Sequence, residues 1–302
     1  MTNSAPDSTS PSAPPASERK VAFVTGASRG IGRAAAGALA AAGFDVVVTA
    51  RTVQEGEQYD YGSTRAQSKP MALPGSIELT AEEVRGFGRE ALAIRLDLMD
   101  RDSIDAALDR TYAEWGHIDV LLNNGIYQGP GLMELFSNLR VEEAETIFEG
   151  NVFAQIHITQ RVLSGMLSRG RGGHIINMTS GSALIDPPAP AGDGGWGFAY
   201  AASKAAFHKL AGILHVEHNA DGIRSFNVNP GFILTEAQKA MHGGDQFGGT
   251  FAGAGPEVPA AVIAWLATHP DADALSGGRH VDAQRLCEER ELVPGFKRAD
   301  GR

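Results

Sequence analysis

A short β-rich run, Val21-Ala22-Phe23-Val24-Thr25, leads directly into Gly26-Ala27-Ser28-Arg29-Gly30-Ile31-Gly32 and then into an Ala-rich stretch reaching about Ala42. A strand, a glycine turn and a helix in that order open a βαβ unit. They bring main-chain N–H groups and the positive end of a helix to one point, where a pyrophosphate can sit. Glycines are needed there because a phosphate must approach the main chain closely. Spaced glycines alone occur in many plain turns; the flanking strand and helix select the dinucleotide reading.

Residues 43–51 read as the next strand. In a dinucleotide fold the end of this strand meets the adenosine ribose, where an acid bonds the 2′-hydroxyl and an Arg accommodates a 2′-phosphate. Ala50 and Arg51 hold the position, with Arg29 as a second cation. NADP(H) is therefore preferred and NAD(H) remains possible; the plainer account of Arg51 is a solvated loop charge. Residues 52–79 are polar, turn-rich and without a clean period, long for a connection inside a βα unit, so a functional or mobile loop is expected. A short helix follows, with Thr80 as N-cap and Glu83 completing a capping box. Residues 91–96 form the third strand. Asp97 after it suits the adenine amino group, or serves only as a cap.

A helix over 104–115 leads to a strand over 118–122 and then to Asn123-Asn124-Gly125, small and amide residues that suit a ligand crevice at a strand's carboxyl end. The long helix that follows contains Asn151, an amide among Val152, Phe153 and Ile156 that is costly unless hydrogen-bonded. Residues 173–180 form a fifth strand and deliver Ser180 to the same edge. Phe198-Ala199-Tyr200-Ala201-Ala202-Ser203-Lys204 then opens a proline-free helical run to about His218. Tyr200 and Lys204 stand one turn apart on one face, roughly 5–6 Å apart at their roots. An ammonium there favours the phenolate of a Tyr whose ordinary pKa is about 10, so the pair suits proton exchange with an alcohol or carbonyl.

Composition narrows the class. At 302 residues with 43% hydrophobic and 21% charged content, the chain suits one large α/β domain over 18–302. The net charge of −10 argues against a nucleic-acid or anionic-membrane binder. A single cysteine, Cys287, suits a reducing compartment. No apolar run approaches a membrane span, so a cytoplasmic protein is expected. Residues 1–17, rich in Ser, Pro and Ala, lack the apolar core of a signal peptide and read as a loose tail.

Taken in order, Thr25-Gly26-x-x-x-Gly30-x-Gly32, Asp97, Asn123-Asn124-Gly125, Asn151, Ser180, Tyr200-x-x-x-Lys204 and Asn229-Pro230-Gly231 with Thr235 resemble the short-chain dehydrogenase/reductase family, over residues 20–283. The resemblance implies a single doubly wound parallel sheet of about seven strands with helices on both faces, a Rossmann fold. It implies Tyr200 as acid/base, Ser180 orienting the substrate oxygen, Lys204 binding the nicotinamide ribose and lowering the Tyr200 pKa, and Asn151 holding a relay water. Cofactor contacts are implied at Gly26, Ser28, Arg29, Gly30, Ile31, Gly32, Arg51, Asp97, Leu98, Asn124, Gly125, Tyr200, Lys204, Pro230, Gly231, Ile233 and Thr235, and no metal. A small-molecule alcohol or carbonyl substrate and a homodimer or homotetramer follow from the same resemblance. The chain departs from the family pattern at Gly125-Ile126, where Ala-Gly is usual, and in the longer span between Ser180 and Tyr200; Ser182 is a rival hydroxyl.

Residues 235–255 include a glycine-flanked segment with Phe247 and Phe251 that suits a lid or a surface loop. Tyr127, Trp196, Phe198, Phe232 and Phe251 suit an apolar pocket for a bulky or aromatic substrate. The competing functions are a reductase of another polarised bond and a nucleotide sensor or scaffold without turnover.

Overall fold

Five consecutive residues of β1 (Val21–Thr25) are all buried, and so are all six of β2 (Asp45–Ala50). Strands apolar on both faces need helices on both faces, the arrangement of a parallel sheet. In this computed structural model, which describes residues 19–242 and 253–299, that sheet has seven parallel strands. The expected tail and the glycine-flanked segment at 243–251 lie outside the described residues.

The chain runs from β1 through α1 (Gly30–Ala41) to β2, then through a small antiparallel hairpin, β3 (Gln58–Asp60) and β4 (Pro70–Ala72), to α2 (Ile77–Gly86). Next come β5 (Ala91–Arg95), α3 (Arg101–Trp115), β6 (Val120–Asn123), α4 (Val141–Phe148), α5 (Ala154–Arg169) and β7 (Gly173–Met178). The chain continues with α6 (Phe198–His218), β8 (Ile223–Asn229), α7 (Glu236–His242), α8 (Glu257–Thr268), β9 (His280–Asp282) and α9 (Ala283–Glu289).

Strand order is β5-β2-β1-β6-β7-β8-β9. The chain steps outward on one side of β1 and then on the other, so a crevice opens between the carboxyl ends of β1 and β6, the switch point where such sheets bind ligand. Ala22 and Val24 face a core shared with α1, α2, α8 and α9, while Val21 and Phe23 face one shared with α3, α5 and α6. Phe23 and Phe226 are fully buried, and each such side chain contributes about 1.5–3 kcal/mol.

Two local expectations are corrected. Thr80 lies inside α2, where its hydroxyl donates to the carbonyls of Ala27 (2.8 Å) and Ser76 (3.0 Å); Ser76 is the N-cap and accepts from Leu79 N–H. Glu83 instead pairs with Arg33 of α1. Asn151 does not sit in a continuous α-helix. It occupies a π turn, Glu149–Phe153, between α4 and α5, a device that recurs at functional sites.

Candidate active site

The glycine turn after β1 is built around absent side chains. A Cβ on Gly32 would lie 2.3 Å from the Gly26 carbonyl oxygen, and one on Gly26, at φ +65°, would lie 2.7 Å from Gly125 Cα. The turn after β6 braces it: Thr25 Oγ1 accepts from the N–H of Asn124 (3.0 Å) and Gly125 (2.9 Å), and Asn124 Nδ2 donates to the Thr25 carbonyl at 3.0 Å. Gly125 itself has little room, since a Cβ there would meet Gly26 N at 3.3 Å. The alanine usual in the resembled family would be tight here. Asn123, by contrast, turns inward and donates to Thr159 and Asn177.

The N–H of Gly30, at the start of α1, donates to a carboxylate oxygen of Glu236 at 3.2 Å. An anion thus already occupies the helix end expected to hold a pyrophosphate, which fits such a group to this turn. Thr235 lies against the turn too, its Cγ2 3.0 Å from where a Gly30 Cβ would be. Glu236→Gln is expected to tighten dinucleotide binding about two- to fivefold, because the competing charge is worth what a surface anion gains at a helix end. Fluorescence titration of the reduced cofactor checks this; unchanged or weaker binding would mean that the carboxylate does not compete.

Where the resemblance puts the adenosine, Ser28 is buried and Arg29 is heavily engaged. Its Nε donates to Pro74 O (2.9 Å), Nη1 to Tyr61 Oη (3.2 Å), and Nη2 to Thr52 Oγ1 (3.2 Å), Gly75 O (3.2 Å) and Leu73 O (3.4 Å). Arg51 lies under the hairpin, with the Tyr59 ring centroid 4.1 Å from its guanidinium carbon. Asp97 accepts from Met99 N–H at 3.0 Å, and Leu98 packs toward Gly125.

On the other side of the crevice, Ser180 follows β7, and its hydroxyl accepts from Ser182 N–H at 3.2 Å. Asn229, ending β8, holds this turn by accepting from Gly181 N–H at 3.2 Å and Gly231 N–H at 3.1 Å. Pro230 accepts from Gln284 Nε2, and Ile233 is buried and bridged to Ala254. Tyr200 packs, half-buried, in a small cluster with Leu132, Ala199, Tyr127 and Met133. That burial raises the phenol pKa, and the Ser180 and Ser182 hydroxyls pull it back in part. Ser182 Oγ is buried and makes no hydrogen bond among the described residues.

Spacing alone leads one to expect a phenol depressed by Lys204; the structure differs. Lys204 is buried, its Nζ donates to the Met178 carbonyl at 2.8 Å, and burial lowers its own pKa to about 8. Desolvation of both groups outweighs their spacing. Asn151 is hydrogen-bonded as its burial demands, accepting from Tyr127 N–H at 2.7 Å and donating to Tyr127 O at 3.3 Å.

Of the aromatics suggested for a pocket, Tyr127 reaches the Tyr200 cluster, while Phe198 is exposed and meets Phe136 edge-on at 5.5 Å between centroids. Trp196 Nε1 is buried without a partner among the described residues, and Phe251 lies outside them. Missed in sequence were Glu236, Tyr59 and Tyr61; the only local signal for the last two was the alternation Glu57-x-Tyr59-x-Tyr61. Among the described residues no helix is long and apolar enough to cross a membrane, and no three His, Cys, Asp or Glu are grouped to hold a metal.

A parallel sheet with a glycine-cradled anion site at its switch point, and a Ser–Tyr–Lys group beside it, defines a dinucleotide-dependent oxidoreductase. The short chain dehydrogenase family model matches residues 20–73 and 71–245, and the chain belongs to that family. It is 32% identical over 226 residues to the 3-oxoacyl-[acyl-carrier-protein] reductase of Escherichia coli, covering 74% of this chain and 78% of that protein. It is 29% identical over 260 residues to the protein of the same name from Synechocystis, covering 85% of this chain and 93% of that protein. Among solved structures it is similar to L-sorbose reductase from Gluconobacter frateurii complexed with NADPH and L-sorbose, with TM-score 0.68 and 25% identity over 87% of this chain and 94% of that one. The protein is an oxidoreductase of CH–OH or C=O groups that uses NAD(P).

Proposed function

We propose that this chain is an NADP(H)-dependent oxidoreductase of an alcohol/carbonyl pair, with Tyr200 as proton donor and acceptor. The observation that carries the reading is the placing of Ser180 just past the end of β7, whose Met178 carbonyl accepts from the buried Lys204 Nζ at 2.8 Å, with Tyr200 one helical turn before that lysine on α6.

The bound nicotinamide supplies or accepts the hydride. In the reducing direction the Tyr200 hydroxyl donates its proton to the substrate oxygen, and Ser180 donates a hydrogen bond to the same atom. A phenol kept protonated by its surroundings suits that direction. Lys204 has three N–H groups and spends one on Met178, leaving two for ribose hydroxyls. With a pKa of about 8 it is about nine-tenths charged at neutral pH. Asn151 keeps one N–H and one lone pair for a relay water after its two bonds to Tyr127.

NADP(H) is assigned on Arg51, which stands where the 2′-position is read; the NADPH complex of the similar L-sorbose reductase supports this. Titrating NADPH and NADH by fluorescence should give the tighter constant to NADPH, and the reverse order would reverse the assignment. NADPH oxidation across ketones, aldehydes and quinones should reveal a carbonyl substrate. A protein that binds NADPH but turns over none of them would be the sensor or scaffold.

A further inference from the structure

The hairpin between β2 and α2 interleaves with the two arginines of the adenosine side. Side chains alternate along a strand, so Glu57, Tyr59 and Tyr61 share one face. The Arg51 guanidinium carbon lies 4.1 Å from the Tyr59 ring centroid and 5.5 Å from that of Tyr61; Arg29 lies 5.4 Å from Tyr61. The Tyr59 hydroxyl sits 3.2 Å from the Arg51 carbonyl oxygen and 2.7 Å from Glu57 Oε2. Tyr59 therefore holds the main chain and the side chain of Arg51 at once.

Arg29 and Arg51 are left in different positions. Arg29 donates to three carbonyls and two hydroxyls and serves as a strut between the glycine turn and the hairpin. Among the described residues the Arg51 guanidinium makes ring contacts with Tyr59 and Tyr61 but no hydrogen bond and no ion pair. The nearby Asp60 carboxylate accepts instead from Gly62 N–H, Lys69 N–H and the Ser68 hydroxyl. The hairpin is anchored on its far side as well: Met133 N–H donates to Ser63 O at 3.0 Å, and Arg65 pairs with Glu143 at 2.6 Å and donates to Asn138 O at 2.8 Å. The tyrosine face is thus set before any ligand arrives.

We propose that Tyr59 is a positioning residue for cofactor choice, holding the Arg51 guanidinium face-on so that its N–H edge is presented to a 2′-phosphate. A guanidinium stacked on an aromatic ring keeps its edge for bidentate phosphate recognition, and a side chain fixed in advance loses less freedom on binding. This rests on the NADP(H) reading above and adds the residue that enforces it.

The test uses probes without hydride chemistry, 2′,5′-ADP and 5′-ADP, titrated calorimetrically into wild type, Tyr59→Leu and Tyr59→Phe. Wild type should favour 2′,5′-ADP. Tyr59→Leu should lose roughly five- to thirty-fold of that ratio, the range of a cation–π contact, with 5′-ADP affinity unchanged. Tyr59→Phe, which keeps the ring, should retain most of it. Should Tyr59→Leu not fold, Tyr59→Met poses the same question. A ratio that survives loss of the ring, or equal weakening of both nucleotides, overturns the role of Tyr59 while leaving the NADP(H) reading in place. A wild type without preference for 2′,5′-ADP overturns both.

Discussion

Replacing Tyr200 with Phe is expected to cut turnover about 10³-fold, within the span of lost general acid–base catalysis, while NADPH affinity stays at the wild-type value. The substitution removes one oxygen and keeps the ring that packs with Leu132, Ala199, Tyr127 and Met133, so the cluster survives. What disappears is the phenol proton itself, whose affinity burial raises and the serine hydroxyls lower in part. Initial rates of NADPH oxidation, set beside a fluorescence titration, separate the two quantities. A variant keeping a tenth or more of its turnover would move the proton to another group, with Ser182 first in line.

Lys204→Met should lower turnover by about 10²-fold or more, and it should also change how the cofactor-free protein's stability depends on pH. The folded lysine has a pKa of about 8 against a reference of 10.5, because burial penalises its charge. Between those values the unfolded chain holds a proton that the folded chain has released, so wild-type stability rises with pH across this window. Below it both states are protonated and the full burial penalty of about 3 kcal/mol applies. Urea denaturation should therefore show wild type gaining about 3 kcal/mol on Lys204→Met from pH 8 to 10.5, with a flat difference below pH 8. A difference independent of pH throughout would mean that the ammonium is solvated. Opposing terms act on the absolute offset at neutral pH, since Met removes a buried charge and leaves the Met178 carbonyl without its donor.

Much of the architecture was legible because its signals are local. The glycine turn between β1 and α1 follows from three glycines bounded by a strand and a helix, and α6 spans Phe198–His218 as an uninterrupted run of helix formers requires. Where the reading failed, the deciding contact was distant or the pattern too short. Thr80 looked like a cap because a Glu follows three residues later, yet Ser76 takes that place, with Ile77 already buried behind it. The hairpin offered only three alternating residues, and what holds it lies at Arg29, Arg51, Met133 and Glu143. Asn151 was recognised as an amide needing partners, but the π turn that aims it at Tyr127 comes from how α4 meets α5.

From the chain alone came the order of the strands and helices of the main sheet, the crevice at the switch point and the identity of Ser180, Tyr200 and Lys204 as candidates. The first two follow from local pattern; the three side chains were singled out by the family resemblance together with the one-turn spacing of Tyr200 and Lys204. Tertiary structure alone decided the electrostatic state of those residues: a phenol raised by burial, a lysine near 8, Arg29 spent on carbonyls and Arg51 under a tyrosine ring. Charge and proton affinity depend on what surrounds a group in space, and segments far apart in sequence supply those surroundings.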